Sequence, residues 1–408
     1  MINEIFPVLV WFILIFAIIE IVIYSIVRYV NKNFQWLIIK HDEKPTLSNE
    51  GLKKFIPLGY DPELGWVRKP NTEHDENGRN NPTKWTINSH GARSNPGFDD
   101  KESKISSYGD SFTFSRQVSD EETWEHYLSE MKYTNVQNFG VGNYGIDQAL
   151  LRLKREFPNN RTEEVILGVV PDTISRIISI WKHYCEYGNT FGFKPRFTIK
   201  NDELVLIPNP ISHENQFHHY YEKLNQIQKD DFFYKKKFKN ELIHFPYSIT
   251  ILKHIKRNFG IIYWIIKIQT NKKFGKNTKK IQWKPMNIIM NINLQWRIKL
   301  FKDDSKTLLL KKLIQNFVQY SKDENFKPIF TFLPQKDDLL FIKNNYNFYQ
   351  QFTDDIKKIP DLQIVDVTNQ LLKESNLDAL YSDSNNYGGH YSPEGNKKIA
   401  SIIFDQLQ

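Results

Sequence analysis

Apolar residues run without interruption from Ile5 to Ile19 and resume past Glu20 through Ile21, Val22, Ile23, Tyr24, Ser25, Ile26 and Val27. A helix of this length, at about 1.5 Å per residue, crosses a hydrocarbon layer of roughly 30 Å with some tilt to spare. Glu20 opposes insertion by roughly 3 kcal/mol at mid-bilayer, but it lies toward one end among apolar neighbours. The chain begins Met-Ile-Asn-Glu, without a basic leader, and leaves the run through Arg28, Tyr29, Val30, Asn31 and Lys32. The pattern therefore predicts an uncleaved single-pass anchor over residues 1–31. Arg28, Lys32, Lys40 and Lys44 on its C-terminal flank favour a cytoplasmic position for the large C-terminal portion, by the positive-inside tendency.

Beyond the anchor the pattern changes twice. Residues 32–100 are dense in Gly and Pro, as in Pro57-Leu58-Gly59 and Asp61-Pro62-Glu63-Leu64-Gly65, and read as a turn-rich, membrane-proximal segment. Residues 71–84 read as polar and exposed, and 85–88 as a short strand entering a turn at 89–93. From residue 104 strands and helices alternate: strands at 104–108, 136–139 and 164–170, and helices at 119–131 and 146–157. Ser119 and Glu122 have capping-box spacing, and Ala149, Leu150, Leu153 and Phe157 fall near one helical face. The third strand is too continuously apolar to alternate, so it suits a sheet covered on both faces. Residues 178–300 are less regular and read as an insertion or cap, in which the short run 261–266 is expected to be core. The alternation resumes over 301–408, with helices at 306–320, 349–358 and 393–407 and strands at 328–333 and 362–367. The expectation is an α/β three-layer sandwich around a mostly parallel sheet, its first part at 101–177 and its second at 301–408.

Composition narrows the partners. Of the 408 residues, 40% are hydrophobic and 14% aromatic, enough for a substantial core. A mean hydropathy of -0.53 argues against a polytopic membrane protein. The net charge of +8 is concentrated in Lys-rich runs at 235–239 and 272–280. These read first as solvated surface, with anionic lipid headgroups or acidic polysaccharide as the alternative. No zinc-finger spacing, P-loop or aromatic RNA-binding pattern accompanies them, so nucleic acid is not an expected partner. Cys185 is the sole cysteine, which excludes an intrachain disulfide. With His183 it makes two metal donors and no third, so no metal is expected.

The chemistry is carried by two segments at opposite ends of the α/β series. Gly109-Asp110-Ser111-Phe112 follows the first strand, and His390 lies in Gly389-His390-Tyr391-Ser392-Pro393-Glu394-Gly395 before the last helix. A serine hydroxyl needs a base to accept its proton, and imidazole suits that task. A serine in the loop after a strand also leaves turn amides facing a developing oxyanion. Sheet topology can bring two such distant loops to one edge. Serine chemistry of this kind requires no cofactor. Arg176, His183, Glu186, Lys194 and Arg196, after the third strand, are candidates for a polar or anionic sugar pocket, with ordinary structural pairing as the alternative.

These segments resemble the SGNH/GDSL hydrolase family, especially its membrane-associated members linked to bacterial surface polysaccharides, over roughly residues 85–175 and 325–405. The resemblance implies Ser111 as nucleophile and oxyanion donor, and His390 as base. Asn138-Phe139-Gly140-Val141-Gly142-Asn143 resembles the second family block, with Asn143 where an oxyanion glycine is usual. Pro171 stands where the third block commonly has an asparagine donor, and it has no N–H to offer. Tyr387 stands where the family places its acid, which leaves Asp383, or Asp378 further back, to orient His390. The implied activity is ester hydrolysis or acyl transfer on an acylated cell-surface carbohydrate, with membrane lipid and polysaccharide-assembly proteins as further partners and an extracytoplasmic domain. The two departures leave a second reading, a non-catalytic polysaccharide-binding or assembly protein on the same fold.

Overall fold

Five short segments pair side by side, all parallel: β1 (Ser103–Gly109), β2 (Asn135–Asn138), β3 (Glu164–Val169), β4 (Lys327–Phe332) and β5 (Gln363–Val365), in the order β5-β4-β3-β1-β2. This is a computed structural model, and it describes residues 2–77, 82–383, 385 and 387–407. The main helices are α1 (Ile2–Asn33), α2 (Trp124–Lys132), α3 (Ile146–Glu156), α4 (Tyr247–Lys253), α5 (Ile255–Lys273), α6 (Lys284–Leu300), α7 (Asp304–Glu324) and α8 (Pro393–Gln406).

Successive strand side chains point to opposite faces, and both faces are apolar. Val165, Leu167, Val169, Phe330 and Phe332 pack with Ala149, Leu150 and Leu153 of α3 and Leu310, Leu313 and Phe317 of α7. Ile105, Val136, Ile166, Ile329 and Val365 face the other way, onto Trp124 and Leu128 of α2 and Ile399, Ala400 and Ile403 of α8. The protein is thus an α/β three-layer sandwich around a parallel sheet, as the alternation predicts.

Local differences have local causes. The Ser119–Glu122 box forms, with Ser119 N–H donating to Glu122 Oε2 at 2.9 Å, but it closes only a short 3₁₀ turn. Helix α2 starts afresh at Thr123, whose Oγ1 accepts from His126 N–H at 3.0 Å. In the polar stretch 71–84, of which 78–81 lie outside the described residues, Thr72–Asn77 is a strand antiparallel to Pro82–Ile87. Buried Trp85 and Ile87 supply the apolar side that 71–84 alone does not reveal.

The stretch 178–300 is more regular than its composition suggests. It holds an antiparallel hairpin, Arg196–Lys200 with Glu203–Ile207, followed by α4, α5 and α6. Ile243, Ile251, Ile261, Ile265 and Ile289 from this region close over Val27 and Val30 of α1. The apolar run 261–266 divides between core and surface: Ile261 and Ile265 are buried, Tyr263 and Ile266 exposed. Helix α1 is long and apolar enough over Phe6–Asn33 to cross a membrane, with a mean hydropathy of 2.9 in its most apolar 18 residues. Glu20 within it is buried, its carboxylate accepting the Tyr247 and Ser248 amides at the start of α4.

Candidate active site

The first site loop is pinned by its own sequence. Gly109 ends β1 where a Cβ would stand 1.8 Å from the Gly168 carbonyl oxygen, so only glycine lets β1 and β3 approach this closely. Asp110 then accepts Phe112 N–H at 2.8 Å and Val170 N–H at 2.9 Å, and pairs with Arg176 at 3.1 Å. Burial raises the Asp110 carboxyl above the usual range, against the pull of Arg176. Held on both sides, the loop leaves Ser111 at the C-terminal end of the sheet with 7% of its surface exposed. Arg116 N–H closes back on the Ser111 carbonyl at 3.0 Å, and Ser115 and Gln117 adopt left-handed backbone, φ 54° and 76°.

A second loop is stitched to the first. Asn138 Nδ2 donates to the Thr113 carbonyl at 2.8 Å, and Val141 N–H to the Gly109 carbonyl at 3.0 Å. This sets Gly142 against Ser111, a Cβ at Gly142 lying 4.0 Å from that of Ser111. Asn143 comes next with φ 70°, a conformation asparagine tolerates better than most residues. Among the described residues, the main-chain amides of Ser111, Gly142 and Asn143 donate to no protein acceptor. Pro171 contributes no N–H, and Val170 N–H is already taken by Asp110.

The third loop carries His390 to the same edge. The Tyr381 and Tyr391 hydroxyls both donate to the Pro334 carbonyl, at 2.8 and 3.0 Å, and Ser382 N–H donates to the His390 carbonyl at 2.9 Å. The His390 ring packs 4.8 Å from the ring of Phe112, the residue after Ser111. Among the described residues no hydrogen bond joins Ser111 Oγ to His390. Burial pushes the imidazole down to about 3, with Arg116 and Arg176 adding to the effect, so His390 is neutral at ordinary pH.

The partner of His390 Nδ1 is Gln117, not a carboxylate. Gln117 Oε1 lies 3.0 Å from Nδ1 and 2.8 Å from the main-chain nitrogen of His390, and Ser382 Oγ donates to it at 3.1 Å. A main-chain N–H can only donate, so the shared Gln117 atom is the carbonyl oxygen. Nδ1 must then carry its proton, and Nε2 keeps the lone pair. The sequence offers no signal for this role: Gln117 is a lone glutamine six residues beyond Ser111, brought in by two left-handed turns.

Of the acids expected from sequence, Asp383 lies beside His390 and Asp378 pairs elsewhere. The Asp383 carboxylate lies against Gly389, where an added Cβ would meet its Oδ2 at 2.8 Å and Gln117 Oε1 at 2.7 Å, but Nδ1 is held by Gln117. Asp378 pairs with Lys336 at 2.7 Å. The five residues considered for a sugar pocket are structural in their observed contacts. Lys194 is buried on Asp147 at 2.6 Å, and His183, pushed down to about 4 by burial, sits 2.8 Å from the Asp42 carbonyl. Arg196 donates to the Ile178 and Asp230 carbonyls at 3.1 and 2.7 Å. Arg176 braces Asp110 and lies 3.4 Å from Asp172 and 3.7 Å from Glu186. Burial alone would raise Glu186, but Lys182 and Arg176 draw it down to about 2. None of these five lines the large cavity beside Ser111; their charges are spent inside the protein.

That cavity, of about 460 Å³, is lined instead by Phe55, Trp66, Arg68, Arg116, Asn143 and Lys182, among others. Gly142 borders both it and Ser111, and Asn143 follows in the same lining. Arg68 stacks on Trp85 at 4.3 Å, and the Trp66 indole donates to the Gly142 carbonyl at 2.9 Å. Aromatic faces, Arg68 and Arg116 therefore border a space that opens next to the serine loop, while Lys182 there is paired with Glu186 at 2.8 Å. Among the described residues no group of three or more His, Cys, Asp or Glu side chains is arranged to hold a metal ion.

No family model matches the chain, and no curated protein matches it. Solved structures do. One is a protein described as a lipolytic member of the G-D-S-L family from Desulfitobacterium hafniense DCB-2, 12% identical, with a TM-score of 0.34 over 74% of this chain and 98% of its own. Another is the acetyl xylan esterase AlAXEase, 11% identical, TM-score 0.35, over 74% and 99%. A third is the lipase/acylhydrolase from Enterococcus faecalis, 10% identical, TM-score 0.33, over 75% and 95%. Likeness at this level carries no chemistry, which must come from the residues of this chain.

Proposed function

We propose that the protein is a membrane-anchored serine esterase or acyltransferase acting on an O-acetylated carbohydrate. The observation that carries the reading is the convergence of three loops, which places Ser111, the unused amides of Gly142 and Asn143, and an Nδ1-protonated His390 at one sheet edge. Ser111 Oγ attacks the acyl carbonyl carbon while its proton passes to His390 Nε2. The amides of Ser111 and Asn143 hold the resulting oxyanion. Collapse breaks the ester C–O bond, and His390 returns the proton to the departing sugar oxygen. Water or a second sugar hydroxyl then attacks the acyl-serine, giving its proton to Nε2; the acyl–Oγ bond breaks and His390 returns that proton to Ser111 Oγ. Bond formation between Ser111 and His390 belongs to the substrate complex, where catalytic hydrogen bonds tighten. The aromatic and cationic cavity favours a saccharide, and its cations favour one that bears negative charge.

The test is acetate release and acetyl transfer by the full chain on O-acetylated acidic polysaccharide, compared with Ser111→Ala and His390→Ala. Ester cleavage that both substitutions abolish is the expected result; equal cleavage by Ser111→Ala and the parent overturns the reading. The absence of a Ser111–His390 hydrogen bond and the amide at Nδ1 favour a second reading, binding of the polysaccharide without turnover. It requires saccharide affinity that Ser111→Ala leaves unchanged and no ester loss by the parent.

A further inference from the structure

Away from the serine loop, α4 and α5 present an apolar stripe to the outside. Ile249 and Leu252 on α4, then Ile255, Phe259, Tyr263 and Ile266 on α5, are each at least 40% exposed, at spacings that place the α5 residues along one helical face. Surface helices of soluble proteins carry polar residues there. The opposite face of α5 is occupied: Ile261 and Ile265 pack with Val27 and Val30 of α1.

The depth of this contact is informative if α1 spans a membrane, as its length and composition allow. Phe16 meets Phe245 with ring centroids 6.3 Å apart, and Tyr24 meets Tyr247 at 5.2 Å. From Phe16 to the end of the apolar run at Val27 is about 16 Å of helix, roughly one leaflet of hydrocarbon. The start of α4 is therefore carried to bilayer depth. Backbone N–H groups there must be satisfied within the protein, and Glu20 does this for Tyr247 and Ser248. The one carboxylate in an otherwise apolar span is explained by the helix end it covers.

Beside this junction lies a basin of about 550 Å³ lined by Lys40, Lys235, Lys239, Lys253, His244 and Phe245, among others. Lys40 pairs with Glu43, and Lys239 lies 5.6 Å from the Tyr234 ring centroid. The basin is cationic, and it shares Phe245 with the anchor contact and Lys253 with the apolar helix α4.

We propose that this basin binds the headgroup of an anionic phospholipid, with α4 and α5 sunk into the leaflet beside α1 so that acyl chains cover the exposed stripe. Charge selects the headgroup, and continuity with the spanning helix selects a bilayer lipid over a soluble anion. The two halves are read separately on the full chain. Native mass spectrometry in detergent, titrated with phosphatidylglycerol or phosphatidylcholine, is expected to show preferential retention of phosphatidylglycerol. The triple variant Lys235→Gln, Lys239→Gln, Lys253→Gln is expected to lower that retention on the order of 10- to 100-fold. The variant Lys272→Gln, Lys273→Gln, Lys276→Gln, with the same charge change outside the basin, is expected to keep it. Equal retention of the two lipids by the parent, or equal loss in both variants, overturns the headgroup site. Nitroxides at Leu252→Cys and Phe259→Cys, in vesicles of the two lipids, are expected to collide with oxygen in preference to a water-soluble nickel chelate. The reverse order overturns the embedded stripe.

Discussion

Gln117 holds His390 by two nitrogens at once, and this fixes both its tautomer and its weakness as a base. A carboxylate at Nδ1 would stabilise the imidazolium, whereas a neutral amide holds the ring without supplying charge. With burial, Arg116 and Arg176 all disfavouring the cation, His390 stays neutral down to about 3. Serine reactivity of the parent should therefore lack an acid limb near pH 6.5, measured as the rate of probe labelling against pH. The same shift has a stability sign: between pH 6.5 and 3 the unfolded chain binds a proton at His390 that the folded chain refuses, so this residue's contribution to stability falls as pH drops through that window. Gln117→Glu should move an acid limb upward in pH by charging the Nδ1 partner. Gln117→Met, of similar volume without an acceptor, should lower reactivity on the order of 100-fold by freeing the tautomer. A merely structural glutamine would leave the pH profile of both variants where the parent has it.

The loops that carry the site are set by the elements that end in them. Gly109 at the end of β1 leaves no room for a side chain against β3, so Gly109→Ala should lower stability by about 1–3 kcal/mol, read by urea denaturation. That Gly-Asp-Ser follows a strand, and that His390 precedes a Ser-Pro-capped helix, was legible in the sequence because both rest on local turn chemistry. The five strands of the parallel sheet were legible within a residue or two, β3 and β4 as apolar runs between turns. Gln117 was not, because its role depends on a loop 273 positions away in sequence. Helix α5 was obscured because its apolar residues are divided between a core and an outward stripe, which blurs the one-sided pattern that marks a surface helix. For the sugar-pocket candidates the sequence left binding and structural pairing open, because the partners of a charge are not visible in it. Lys194 and Arg176 find theirs inside.

At the scale of the molecule, the sheet edge rests on a buried ionic cluster. Arg297 lies 2.8 Å from Asp337 and 2.9 Å from Asp338, with Asp172 4.0 Å away and linked on to Arg176. Burial pushes Asp338 up to about 7 even so, against the pull of Arg297. Arg297→Met would leave these carboxylates without their shared cation and should destabilise by about 3–5 kcal/mol, measured by thermal or denaturant unfolding. The domain so held presents Ser111 on one side and an apolar, lysine-edged surface beside α1 on another. Whether Ser111 is an activated nucleophile is best decided by covalent labelling of the full chain with a fluorophosphonate, the adduct located by peptide mass spectrometry. Labelling confined to Ser111 and sharply reduced by His390→Ala is the expected outcome. A folded parent that leaves Ser111 unlabelled, while a small probe demonstrably enters the adjoining cavity, would contradict the role given to Ser111.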